Sequence, residues 1–68
     1  MIYLIKAEVT KRIFGISNSF INIEGKLVHA NSGGEAKFKF ETHFRGLPVN
    51  KQCESMDFKF IEVIDELN

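Results

Sequence analysis

The sequence predicts an all-β fold, a small antiparallel sheet or partial barrel of four to five strands. Apolar and polar residues alternate along most of the chain, and a period of two residues is typical of strands with one buried face. Turn signals at residues 15–19, 31–34 and 46–55 divide the chain into four short segments. A chain of 68 residues is long enough for a single small domain, which we place at residues 1–68.

The first two segments both alternate in this way. In the first, one face consists of Tyr3, Ile5, Ala7 and Val9, which we expect in the core. In the second, the apolar face is formed by Ile21, Ile23 and Leu27. The opposite face of the second segment is more polar and consists of Phe20, Asn22, Glu24, Lys26 and Val28. Gly25 interrupts the apolar face and predicts either a bulge or a close approach of another backbone.

The third segment, GEAKFKFETHFRG at residues 34–46, shows the most regular alternation in the chain. One side of it holds Ala36, Phe38, Phe40, Thr42 and Phe44. Because this side is apolar, we expect a strand that pairs with the second segment in a hairpin around residues 31–34. We expect its phenylalanines in the core rather than on an exposed stacking platform, since burying each one stabilises the fold by about 1.5–3 kcal/mol.

The fourth segment, residues 56–68, has two interpretations. Its beginning, Phe58-Lys59-Phe60, alternates as in a strand, whereas Phe60, Val63, Ile64 and Leu67 recur at helical spacing. The density of β-branched and aromatic residues favours the strand. The alternative fold is α+β, with residues 50–67 as a C-terminal helix packed on a three-stranded sheet.

Composition restricts the compartment and the kind of partner. Cys53 is the only cysteine, so no disulfide forms within one chain. We find no secretory or membrane-spanning pattern, and we expect a cytoplasmic protein that does not bind membranes. The net charge is zero, but residues 1–53 have a net charge of +4 and residues 54–68 one of −4. We interpret this as mutual neutralisation within the fold, and a basic body that binds an anionic partner is the alternative.

Residues of catalytic or metal-binding type are few and poorly spaced. Cys53, His29 and His43 would form a nucleophile–base pair or a metal site only if they converged, and their spacing matches no such motif. His29 is expected on the side of Leu27, whereas His43 lies on the polar side of its own segment. We therefore predict no catalytic residue, no metal site, no cofactor and no enzymatic activity.

The predicted hairpin brings two polar rows together on one sheet face. We expect this face to bind a partner through Phe20, Asn22, Glu24, Lys26, Lys37, Lys39, His43 and Arg45. The predicted function is that of a non-enzymatic protein-binding module, a small inhibitor or regulator of a larger protein, of the kind that viruses and mobile elements encode. The alternative is a β-domain that binds single-stranded nucleic acid, which requires aromatic residues and cations on one surface. Open sheet edges in so small a domain also predict a homodimer.

Overall fold

The computed structural model describes residues 1–65, which form a three-stranded sheet with one α-helix on one of its faces. The elements along the chain are β1 (Ile2–Ile13), β2 (Ser19–His29), α1 (Gly33–Arg45), a 3-10 helix (Pro48–Gln52) and β3 (Cys53–Asp65). β1 is the central strand, and both β2 and β3 pair with it antiparallel. The sheet has two free edges, one on β2 and one on β3.

The prediction of an antiparallel sheet is confirmed, whereas the strand number is wrong. The sheet has three strands and is not closed into a barrel. The missing strand is the third segment, which is the helix α1. The α+β alternative was right about three strands and one helix, but it placed the helix at residues 50–67, and residues 53–65 form β3 instead. The last two residues of that range, 66 and 67, lie outside the described residues.

Local interactions at the start of α1 explain why residues 33–45 are helical. Ser32 is the N-cap, and its Oγ accepts a hydrogen bond of 3.1 Å from the Glu35 backbone N–H. The Glu35 carboxylate accepts a bond of 3.3 Å from the Asn31 backbone N–H and lies 3.2 Å from Lys39 Nζ. These contacts satisfy backbone donors that a helix start leaves unpaired. The glycines that we interpreted as a hairpin turn occupy the first turn of α1 instead.

The helix changes which phenylalanines are buried. Ala36, Phe40 and Phe44 recur every four residues, face the sheet and are buried. Phe38 was predicted to share their face, but its side chain is 67% exposed on the opposite side of α1. The prediction of a core role is therefore right for Phe40 and Phe44 and wrong for Phe38.

The core lies between α1 and one face of β1. That face consists of Tyr3, Ile5, Ala7 and Val9, all buried as predicted. Phe40 is fully buried, and its ring centroid lies 4.7 Å from that of Phe44, 6.1 Å from that of Phe58 and 5.8 Å from that of Phe60. This aromatic cluster joins α1 to β3.

Irregular pairing is confined to β3. The register between β1 and β2 runs without a shift, so the bulge predicted at Gly25 is absent. The register between β1 and β3 shifts twice, opposite Lys6/Ala7 and opposite Arg12/Ile13. A Cβ at Gly25 would meet only the Ile5 carbonyl oxygen, at 3.8 Å, so no close approach within the monomer requires glycine there.

Candidate functional site

The sheet face opposite α1 is uncovered, and we call it the open face. Because Tyr3, Ile5, Ala7 and Val9 of β1 point toward the helix, the intervening residues of β1 point to the open face. The strand register then assigns their neighbours on β2 and β3 to the same face. The open face contains Leu4, Lys6, Glu8, Thr10, Ile21, Ile23, Leu27, Asp57, Lys59, Glu62 and Ile64.

The apolar members of the open face lie on both sides of the row formed by Gly25, Lys6 and Glu62, and we call them together the apolar strip. Leu4 lies between Leu27 on β2 and Ile64 on β3, which makes one apolar row across the whole sheet. Ile23 and Ile21 extend this row along β2, opposite Glu8 and Thr10. The exposed fractions are 58% for Leu27, 53% for Ile23, 60% for Ile21 and 44% for Ile64. Several exposed branched side chains on one sheet face make this face a candidate interaction site.

Charged residues occupy the rest of the open face, along β1 and β3. Lys6 lies opposite Glu62, and Glu8 lies opposite Lys59, so opposite charges face each other in two neighbouring rows. The strip is therefore bordered by a balanced polar surface on its β3 side. The apolar strip thus lies beside a charged area on β1 and β3, which we call the charged rim, and protein–protein interfaces combine apolar and polar areas in this way.

The structure separates the two rows of the predicted partner-binding face. Phe20, Asn22, Glu24 and Lys26 share one face of β2, on the side where α1 packs. Lys37, Lys39, His43 and Arg45 are on α1 and not on a neighbouring strand. The predicted arrangement of two paired rows is wrong, because the segment that supplies the second row is a helix.

The cations of α1 have partners inside the fold. Lys39 Nζ donates a hydrogen bond of 2.9 Å to the His29 carbonyl oxygen at the end of β2. Arg45 donates one of 3.0 Å to the Met56 carbonyl oxygen and stacks 5.0 Å from the centroid of the Phe58 ring. Lys37 Nζ lies 5.5 Å from the centroid of the Phe60 ring. These side chains attach α1 to the sheet instead of forming a free basic surface.

The prediction for the β2 residues of the apolar strip is wrong, because they face solvent and not the core. Ile21, Ile23 and Leu27 were expected to face the core, like the apolar residues of β1. In the structure α1 covers β1 and β3, and β2 from Ser19 to Leu27 stays exposed, except for half-buried Glu24. The apolar alternation in β2 was the available signal, but it does not state which face a helix will cover.

Other chemistry has little support in the described part of the chain. Cys53 is half-buried and packs beside the core, while His29 and His43 are exposed on β2 and α1. Residues 1–65 contain no group of three metal-ligating side chains and enclose no pocket. The Glu35 carboxylate accepts hydrogen bonds from Lys39 and from the Asn31 backbone N–H, and these lower the pKa of Glu35 below its ordinary value of 4.5. No helix in the described residues has the length and apolar character that crossing a membrane requires.

No family model matches this chain, and neither does any curated protein or solved structure.

Proposed function

We propose that this protein is a non-enzymatic protein-binding module, a small inhibitor or regulator that docks a larger protein on the open face. The supporting observation is the apolar strip. Four of its residues, Ile21, Ile23, Leu27 and Ile64, are each more than two-fifths exposed, and they lie on the same face of the sheet. A partner that covers them removes apolar area from water, which stabilises a complex by roughly 25 cal/mol for each Å² buried.

The charged rim gives the docking site its selectivity. Lys6, Glu62, Glu8 and Lys59 alternate in sign along β1 and β3. A partner with complementary charges pairs with them, whereas a partner with a different pattern leaves charges unpaired. The single thiol of the chain supports a reducing compartment such as the cytoplasm as the place of action.

A single-stranded nucleic acid is the alternative partner, and the aromatic residues favour it less. Base stacking requires exposed ring faces beside cations. Phe40 and Phe44 are buried in the core, and the exposed Phe14, Phe20 and Phe38 lie on three separate segments of the chain instead of forming a row along one strand. Arg45 and Lys37 occupy the space over the rings of Phe58 and Phe60, so bases would have to displace them in order to stack there.

The test is affinity capture from a lysate of the source cells, using purified tagged protein and mass spectrometry. The test variant is Ile23→Ser with Leu27→Ser, which removes two exposed members of the apolar strip. The control is Phe38→Ser, because Phe38 is even more exposed than Ile23 and Leu27 but lies on the outer side of α1. All three proteins are checked for native circular dichroism before use, and each capture is run with and without nuclease.

We expect a protein partner that wild type and Phe38→Ser retain at fixed stoichiometry and that the double variant loses. Loss of the partner with both variants would contradict docking on the open face. Capture that disappears after nuclease treatment would replace the protein partner with nucleic acid. In that case binding should also weaken steeply with salt, because phosphate contacts release counterions.

A further inference from the structure

The free edge of β2 is built differently from the free edge of β3. β3 has two register shifts and five charged residues among its thirteen. Arg45 of α1 also donates a hydrogen bond to a backbone carbonyl oxygen of β3, that of Met56. Bulges, charges and bound side chains are the features by which proteins prevent a sheet edge from pairing with another chain.

The β2 edge has almost none of this protection. It runs for eleven residues, its pairing with β1 has no register shift, and its charged side chains are Glu24 and Lys26. Lys39 donates a hydrogen bond to the carbonyl oxygen of His29, the last residue of β2. From Ser19 to Val28, no side chain of residues 1–65 hydrogen-bonds to the β2 backbone. One row of backbone donors and acceptors is therefore available to another strand.

The sequence of β2 is self-complementary about Gly25. In an antiparallel pair related by a two-fold axis, opposite residues share a sheet face, so the axis must pass through a residue position. An axis at Gly25 places Glu24 opposite Lys26 of the second copy, and Lys26 opposite its Glu24. The same axis places Ile23 opposite Leu27 of the second copy. Opposite charges and apolar pairs in these positions stabilise a strand pair.

The neighbouring registers are less favourable. An axis at Glu24 places two glutamates opposite each other, and an axis at Lys26 does the same with two lysines. Like charges in directly opposite positions destabilise a strand pair. An axis at Ile23 leaves Glu24 opposite Asn22 and Lys26 opposite Phe20, so neither charge is paired.

We propose that β2 pairs antiparallel with β2 of a second copy about a two-fold axis at Gly25, giving a continuous six-stranded sheet. Glu24 and Lys26 have no ion-pair partner within residues 1–65, and the second copy supplies one for each. Gly25 lies on the axis, and a Cβ at this position would have room in the monomer. Pairing also joins the apolar strips of the two copies at the centre of the open face, with the charged rims outside.

This interface shares Ile23 and Leu27 with the partner site on the open face, so it is tested separately, with purified protein alone and with variants that leave both residues unchanged. Analytical ultracentrifugation over a concentration series should show a monomer–dimer equilibrium for wild type. Glu24→Lys and Lys26→Glu each turn both symmetric charge pairs into like-charge pairs, and each should weaken dimerisation at least about tenfold. The double variant E24K/K26E restores the pairs with reversed sign and should dimerise like wild type. An equimolar mixture of the two single variants should form heterodimers for the same reason.

Disulfide trapping tests the register independently. In a Cys53→Ala background, Gly25→Cys places two thiols across the axis, where opposite Cα atoms are about 4.5–5.5 Å apart and a disulfide fits. Asn22→Cys is the matched control on the same strand, since its two copies would lie about 20 Å apart. Mild oxidation should link the two copies of Gly25→Cys by a disulfide and leave the two copies of Asn22→Cys unlinked. A monomer at all concentrations, a dimer insensitive to the charge reversals, or equal linking of both cysteine variants would overturn the proposal.

Discussion

Replacing Phe40 and Phe38 one at a time distinguishes the helical structure of residues 33–45 from a strand. In a strand the two residues share a face and have the same environment. In α1 they lie on opposite sides, with Phe40 fully buried and Phe38 67% exposed. The two alanine variants should therefore differ greatly in stability, although the chemical change is identical.

The expected loss for Phe40→Ala follows from its contacts. Its ring packs against those of Phe44, Phe58 and Phe60 at centroid distances of 4.7, 6.1 and 5.8 Å. Truncating a buried phenylalanine to alanine costs about 3–5 kcal/mol. A core of this size rarely provides more than about 3–5 kcal/mol in total, so the variant should be largely unfolded at room temperature. Phe38→Ala should change stability by less than about 0.5 kcal/mol, and it gains slightly from the helix propensity of alanine.

Thermal and urea denaturation followed by circular dichroism measure the difference. Because Phe40→Ala has too little structure for a melting curve, Phe40→Leu and Phe38→Leu serve as a milder pair. Phe40→Leu should lose about 1 kcal/mol or more, which lowers the Tm of so small a domain by about 4–8 °C or more. Phe38→Leu should melt with wild type. Equal losses of stability at positions 40 and 38 would refute the helix and support a strand in this segment.

Two further predictions concern the start of α1. Ser32→Ala removes the side chain that accepts the Glu35 backbone N–H and should cost about 0.5–2 kcal/mol in urea denaturation, whereas Ser32→Asp should retain most of the stability. Glu35→Gln tests the lowered pKa of Glu35, which arises mainly from its hydrogen bond with Lys39. A lowered pKa in the folded state means that the stabilisation is complete above the ordinary value of 4.5 and is lost as the pH falls below it. The Tm difference between wild type and Glu35→Gln should therefore narrow below that pH, and a constant difference would contradict the ion pair.

The three strands were predictable because their signal is local. Val, Ile and Phe are dense in β1, β2 and β3, and the buried face of β1 is read directly from its alternation. The third segment also alternates, but Ala36, Phe40 and Phe44 satisfy the helical period as well. The deciding evidence was at the start of the segment, in Ser32 followed three residues later by Glu35, which is the sequence pattern of a capping box. Gly33 and Gly34, which lie between these two residues, are typical of a turn, and for that reason the helix start was interpreted as a hairpin.

The apolar strip was not predictable from alternation, because alternation shows that two faces of a strand differ and not what covers either face. The isoleucines of β2 have the pattern of core residues, and in β1 the same pattern does mark the core. The difference arises from tertiary structure. With residues 33–45 folded as one helix of thirteen residues, the chain has a cover for a single sheet face, and that helix is anchored to β3 by Phe40, Lys37 and Arg45. A fourth strand would have used the same residues to extend the sheet. Because residues 33–45 fold as a helix, they determine both which residues form the core and which isoleucines and leucines face solvent. The open face and the free β2 edge both exist because this segment forms α1 and not a fourth strand.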